Sequence, residues 1–423
     1  MSDQTDHASA AQPWAGRSHA ELAELARELL MAGHLIDRSG MPHLISRFGR
    51  EGMAEIAINE WMAASPIYTK RMQRLLGFEG DTVEVIFKGM QLDVGAPPEF
   101  MDFRYTVIDD HHGEFHLDHC GALMDVEPMG DDYVTTMCHD IEDPTFDATA
   151  TATNPRAQVR PVHRPPRVPA DRAPHCAWTV TIVPEADPLP FPPQAEVLSR
   201  SLAAGLALSG GDLTLAANDG WSSYSTPVDA DLVMERFSSQ ALSRICDEVA
   251  LQGHLLSRAY LLEVAERLGA DDAIAIGAKQ AAGVGGLTTK RLAAALGAAP
   301  DLDGLAEVLA VHPLLLPRSY ASLRLERDGD DLIVALGPSP ALREPDGLTW
   351  PAIATSSGGD AVLLALTVCL VPTARVERID PSGDEVVRWR ISDDVDREPL
   401  GQPDEVTLTE FSTGAGFQFE RRA

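Results

Sequence analysis

From His19 onward, apolar residues recur with helical spacing. In HAELAELARELLMAG they stand three and four apart, which predicts an amphipathic helix with Gly33 as its C-cap. REGMAEIAINEWMAASPIYTKRMQRLLG keeps that period and predicts a long helix, bent near Pro66. The period then shortens to two. FRYTVID and EFHLDH, joined by a polar turn over 109–113, predict a β-hairpin. SLRLERD and DLIVALG, joined over 328–331, predict a second, and AWTVTIV and VVRWRIS read as later strands. Helices followed by antiparallel strands give an α+β class, a helical layer packed on a sheet.

The same order occurs twice. AGHLIDRSGMPHLISRFG begins at Ala32 and QGHLLSRAYLLEVAERLG at Gln252. At one constant offset Gly33, His34, Leu35, Arg38, Arg47 and Gly49 meet Gly253, His254, Leu255, Arg258, Arg267 and Gly269. Thr69, Lys70 and Arg71 then meet Thr289, Lys290 and Arg291, and Leu76, Gly77 and Asp81 meet Leu296, Gly297 and Asp301. Further on, NPRAQVRPV resembles VPTARVERI, and Trp178 matches Trp389. These matches predict a tandem duplication whose halves form a pseudo-two-fold pair. The first unit spans 1–228, with a disordered leader over 1–18; the second, 229–423, is a degenerate structural copy. His34 and His254, present in both, read as structural. Lys70 and Arg71 and their twins read as caps of the final helical turns. GAKQAAGVGG is Gly-rich but lies where the long helix of the second unit belongs, so it is not read as a nucleotide loop.

A chain of 423 residues suits two domains. The formal net charge of −30 disfavours nucleic acid and anionic membranes, and no apolar run is long enough to span a bilayer. The start of the chain lacks a basic, then apolar, signal pattern. With five cysteines, an odd number, a cytoplasmic setting with free thiols or metal ligands is expected rather than disulfides.

The chemistry gathers in the first unit. FHLDHCG sets His116, Asp118 and Cys120 on one strand face and Leu117 and His119 on the other, opposite a sister strand, LIVALGP, that is apolar or small throughout. Imidazole, carboxylate and thiol at interior positions need a partner. MCHDIED adds Cys138, His139 and Glu142, and PHCAW adds His175 and Cys176. One reading is a tetrahedral zinc or iron site drawn from His119, Cys120, Cys138, His139 and Cys176, with Glu142 as general base and His116 as a further catalytic group. Another is a nucleophilic thiol, Cys120 beside His116 or His119, or Cys138 beside His139. A third is a structural cluster. Cys246 and Cys369 read as small core hydrophobes. Arg160, Arg164 and Arg167, in an extended Pro-rich stretch, are candidates to bind a substrate carboxylate or to pair with the chain's own acids.

The helical RFGREGMAEIAINEW, the basic KRMQRLLG and scattered cysteines ending in Cys-x-Trp at Cys176–Trp178 resemble the L-2-amino-thiazoline-4-carboxylic acid hydrolases over roughly residues 30–185, more faintly in the second unit. The resemblance implies a cytosolic enzyme opening a ring hydrolytically in a small carboxylate, with Cys120, Cys138 and Cys176 as the residues carried over. The fused second copy and the extra histidines depart from that pattern. The expectation is a cytoplasmic hydrolase with a buried Cys/His metal site and a small-molecule carboxylate substrate, as an internal pseudo-dimer that allows a homo-oligomer. An iron-dependent oxidoreductase at the same site and a non-enzymatic metal or ligand sensor are the alternatives.

Overall fold

A computed structural model describes residues 13–356 and 358–420. Ser18 caps the first helix, α1 (His19–Leu76), through a capping box with Glu21. The leader expected over 1–18 lies outside the described residues up to position 12. Beyond that it is ordered: Trp14 is buried, and its Nε1 donates to Asp247 Oδ1 at 3.0 Å.

Within α1 the backbone leaves helical geometry only at Gly49 (φ 70°, ψ −176°), and Pro42 and Pro66 lie within it. The break therefore falls at the glycine, whose dihedrals a side chain would oppose, and not at Pro66. Gly33 is no cap either. It sits mid-helix where Val94 closes in, and a Cβ there would lie 2.4 Å from Val94 Cγ1. The first unit continues through α2 (Val83–Met90), β1 (Met101–Asp109), β2 (His112–Cys120), α3 (Gly121–Val126) and α4 (Asp131–Thr135). A π-helical turn, Thr136–Ile141, then feeds α5 (Glu142–Thr151), followed by β3 (Ala157–His163), β4 (Cys176–Ile182) and α6 (Pro193–Leu198).

The second half has α7 (Ser239–Leu268) and α8 (Ala270–Leu296), separated at Gly269 (φ 90°, ψ 166°) as α1 is at Gly49. After them come α9 (Leu302–Ala310), α10 (Arg318–Ala321), β5 (Leu323–Asp328), β6 (Asp331–Leu336), α11 (Trp350–Thr355), α12 (Asp360–Val368), β7 (Arg375–Ile379), β8 (Val387–Ser392) and α13 (Asp404–Thr409). The strands form two four-stranded antiparallel sheets, ordered β1-β2-β4-β3 and β5-β6-β8-β7. The fold is α+β. Among the described residues no helix is long and apolar enough to cross a membrane.

α1 packs along α7 and α8. Two buried ion pairs cross that interface: Arg71 Nη2 to Glu248 Oε1 at 2.7 Å, and Arg291 Nε to Glu28 Oε2 at 2.8 Å. Each arginine also donates to carbonyls outside the helices, Arg71 to Ala204 and Leu206 in the stretch after α6, and Arg291 to Gly414 and Phe417 after α13. Arg71 and Arg291 thus join helices to these segments instead of capping the ends of their helices.

The β2 register corrects the expected faces. Phe115 and Leu117 pair with Trp178 and Cys176, as Val334 and Leu336 pair with Trp389 and Val387, so the two strands correspond two residues away from the sequence alignment. Phe115 and Leu117 point inward. His116 and Asp118 face solvent, with side chains 41% and 51% exposed and 3.4 Å apart. In the second sheet the equivalent face is closed: Ile333 and Ala335 are buried between strands carrying Arg324, Arg388 and Arg390. A bulge, with Met101 opposite Cys120 and Phe103 opposite Leu117, turns Cys120 back into the core.

Candidate functional site

A cavity of about 110 Å³ opens between α1, the loop after α2, β1 and α5. Its walls follow from local periodicity. His34, Asp37 and Arg38 stand three and four apart on one face of α1. Glu142, Thr145, Phe146 and Thr149 occupy one face of α5 in the same way, and Met101 and Phe103 share a face of β1. Trp61, from the far arm of α1, and Asp93 and Gly95, from the loop, complete it. The π-helical turn contributes Met137 and Ile141 and sets where Glu142 begins its helix.

Among the described residues, the polar groups here are under-partnered. Glu142 is partly exposed as a residue, but its Oε2 is sealed from water and has no hydrogen bond. Burial pushes its carboxyl up to about 8; Arg164 opposes the rise and Asp143 adds to it. His34 is 4% exposed, and neither ring nitrogen has a partner. Burial, then the charge of Arg38, holds it well below its usual range, so the imidazole is neutral. Asp93 is pushed up by burial to about 6, although it accepts from Tyr68 Oη at 2.8 Å and Gly95 N at 2.7 Å. Burial raises Asp37 too, against the pull of Arg38. Behind this wall, Glu60 is fully buried with both carboxylate oxygens unpartnered, and burial and then Asp37 push it well above its usual range.

The second half braces these walls. Gln252 on α7 donates to the Leu92 carbonyl at 2.9 Å and accepts from Val94 N at 3.1 Å, clamping the loop that carries Asp93. Arg38 pairs with Asp125 at 3.2 Å, and Asp125 accepts from Ser412 Oγ, Thr413 N and Thr413 Oγ1. Phe417 packs edge-on against Phe100, which packs edge-on against His34.

Of the residues singled out from the sequence, Glu142 lines this cavity. Cys120, Cys138 and Cys176 are buried and within electrostatic reach of it. Burial, then the charge of Glu142, pushes Cys120 up to about 12 and raises the other two thiols, so all three stay protonated near neutrality. The histidines lie elsewhere. His139 Nε2 meets the Pro165 carbonyl at 2.7 Å, His119 stacks on Phe417, and His116 faces solvent beside Asp118. Among the described residues, no three of His, Cys, Asp and Glu are grouped so as to hold a metal ion. Arg160, Arg164 and Arg167 engage Asp147, Asp143 and Glu127. Cys246 is fully buried and Cys369 partly so.

His34, Asp37, Arg38 and Asp93 escaped the sequence reading as site residues. A signal existed in the repeat: Asp37 and Glu60 meet Ser257 and Gln280 at the same offset that aligns His34 with His254. The acids are confined to the first half. His254, moreover, places Nε2 2.8 Å from the Leu316 carbonyl, a partner that His34 lacks.

No known protein family, no curated protein and no solved structure matches this chain.

Proposed function

We propose that the chain is an enzyme that hydrolyses a small molecule by acid–base chemistry in the cavity bounded by Glu142 and His34. The observation that carries this reading is a protonatable carboxyl whose Oε2 is sealed and a neutral imidazole with both nitrogens sealed, in one cavity and without partners among the described residues. A carboxyl held near 8 keeps its proton at neutral pH and can give it to a leaving group. His34 stays neutral, and a bare ring nitrogen can accept a hydrogen bond from the attacking water and orient it. Glu142 thus gives its proton to the leaving group and takes one back from the water that His34 positions. Asp93 and Asp37 set the field around them, and Arg38 balances part of that charge.

We also propose that the two halves arose by tandem duplication and pair about a pseudo-two-fold axis, with the second half retained as a brace. Matching strand orders, the breaks at Gly49 and Gly269, and the pairs Arg71–Glu248 and Arg291–Glu28 support this. In an isologous interface residue i meets j and j meets i, and these ion pairs do so at the offset of the repeat.

The test is a turnover screen with small esters, amides and cyclic amidines, run on the wild type, Glu142→Gln and His34→Gln. The expected result is hydrolysis of a member of the panel that falls by about 100-fold or more in each variant, in line with the contribution of one positioned acid or base. Full activity in both folded variants would remove the cavity from the reaction.

A further inference from the structure

The cavity has an unbalanced set of charges. Asp37, Asp93 and Glu142 face it, and Glu60 stands behind Asp37. Among the described residues, the only cationic side chain in its lining is Arg38, already engaged by Asp37 at 3.3 Å and Asp125 at 3.2 Å. Arg164, the next cation to act on Glu142, is tied to Asp143 and lies over the Trp178 ring. Aromatic and thioether side chains, Trp61, Phe103, Phe146, Met90, Met101 and Met137, make up much of the remaining lining, beside an isoleucine, two threonines and three small residues. His34, buried and with no partner for either ring nitrogen among the described residues, offers a hydrogen-bonding group to the cavity.

Carboxylates opposed by aromatic faces match an organic cation, which gains a charge-assisted hydrogen bond on one side and ring-quadrupole attraction on the other. Resting on the acid–base reading of this cavity, we infer that its ligand is a small organic amine bound as its ammonium ion, with the nitrogen at Asp93, the hydrocarbon against Trp61 and Phe146, and Glu142 keeping its proton. An apolar cavity of about 150 Å³ takes benzene. At about 110 Å³ this one suits roughly five non-hydrogen atoms. The reading reverses the charge expected from the arginines of 160–167, which are held by Asp147, Asp143 and Glu127.

Three probes that share a four-carbon chain and differ in charge decide it: n-butylammonium, n-butanol and butyrate, titrated by calorimetry into the whole chain at pH 7. Butylammonium is expected to bind at least about tenfold tighter than either of the others. Asp93→Asn should weaken butylammonium binding at least about tenfold, and Asp37→Asn serves as a second variant if the first does not fold. Butanol or butyrate binding as well as butylammonium would overturn the inference. So would failure of all three to bind, or binding of the amine to a folded Asp93→Asn chain as tightly as to the wild type. None of these results bears on the acid–base reading, which the turnover of Glu142→Gln and His34→Gln decides separately.

Discussion

A carboxyl that keeps its proton past neutrality makes stability depend on pH. Glu142 has an ordinary value of 4.5 and is pushed up to about 8 in the folded chain. Between those values the unfolded chain has released this proton and the folded chain still holds it, so raising the pH favours unfolding. The slope from this one group approaches about 1.4 kcal/mol per pH unit. Its contribution is complete below the ordinary value and is lost as the pH rises through about 8. Asp93, pushed up to about 6, adds to the lower part of that window. Glu142→Gln is therefore expected to flatten the decline in the upper part, measured by urea unfolding at a series of pH values. An unchanged slope would mean that the carboxyl ionises at its usual pH.

At the scale of elements, the site depends on two glycines that the sequence pattern explains poorly. Gly49 lies in a region of backbone space that side chains avoid. Gly49→Ala should cost about 1–3 kcal/mol, seen as a lower denaturation midpoint. Gly33 acts through contact. Gly33→Ala would drive a methyl into Val94, one residue from Asp93, at a cost of about 1–3 kcal/mol for overpacking. Its twin Gly253 faces Ile36 Cδ1 at 3.2 Å, so Gly253→Ala should cost less. Equal losses for the two would argue against the loop as a rigid part of the cavity. The bulge at Cys120 is a third such feature. Strict alternation from His116 places Cys120 on the same face as His116 and Asp118, whereas the extra residue opposite Asp102 sends the thiol inward and leaves the imidazole and carboxylate outside.

Across the whole molecule, the two halves hold each other through charges removed from solvent. Removing one partner of a buried ion pair leaves the other uncompensated and costs about 3–5 kcal/mol. Glu248→Gln and Glu28→Gln should each approach that loss in chemical denaturation and resemble one another, because each glutamate meets an arginine that also holds a non-helical segment. A large loss in one and none in the other would contradict equivalent roles. The tail over 412–417 ties the second half to Arg38 and Phe100 beneath the cavity, so Glu28→Gln should also loosen that segment, read as faster amide exchange there.

Local sequence settled the element types, because periods of 3.6 and two are properties of neighbouring residues. It marked His34 with His254, Arg71 with Arg291 and Gly49 with Gly269 as repeated positions, and it picked out Glu142. It could not show that His34 and Asp37 face Glu142 across a cavity, since those residues come from different elements and meet only when α1, α5 and the loop after α2 pack together. Nor could it tell a bare imidazole at His34 from a hydrogen-bonded one at His254, since the partner of the second is the distant Leu316 carbonyl. Which carboxyls keep their protons was decided by tertiary burial alone, because the cost of a charge depends on the water and countercharges around it and not on its neighbours in the chain.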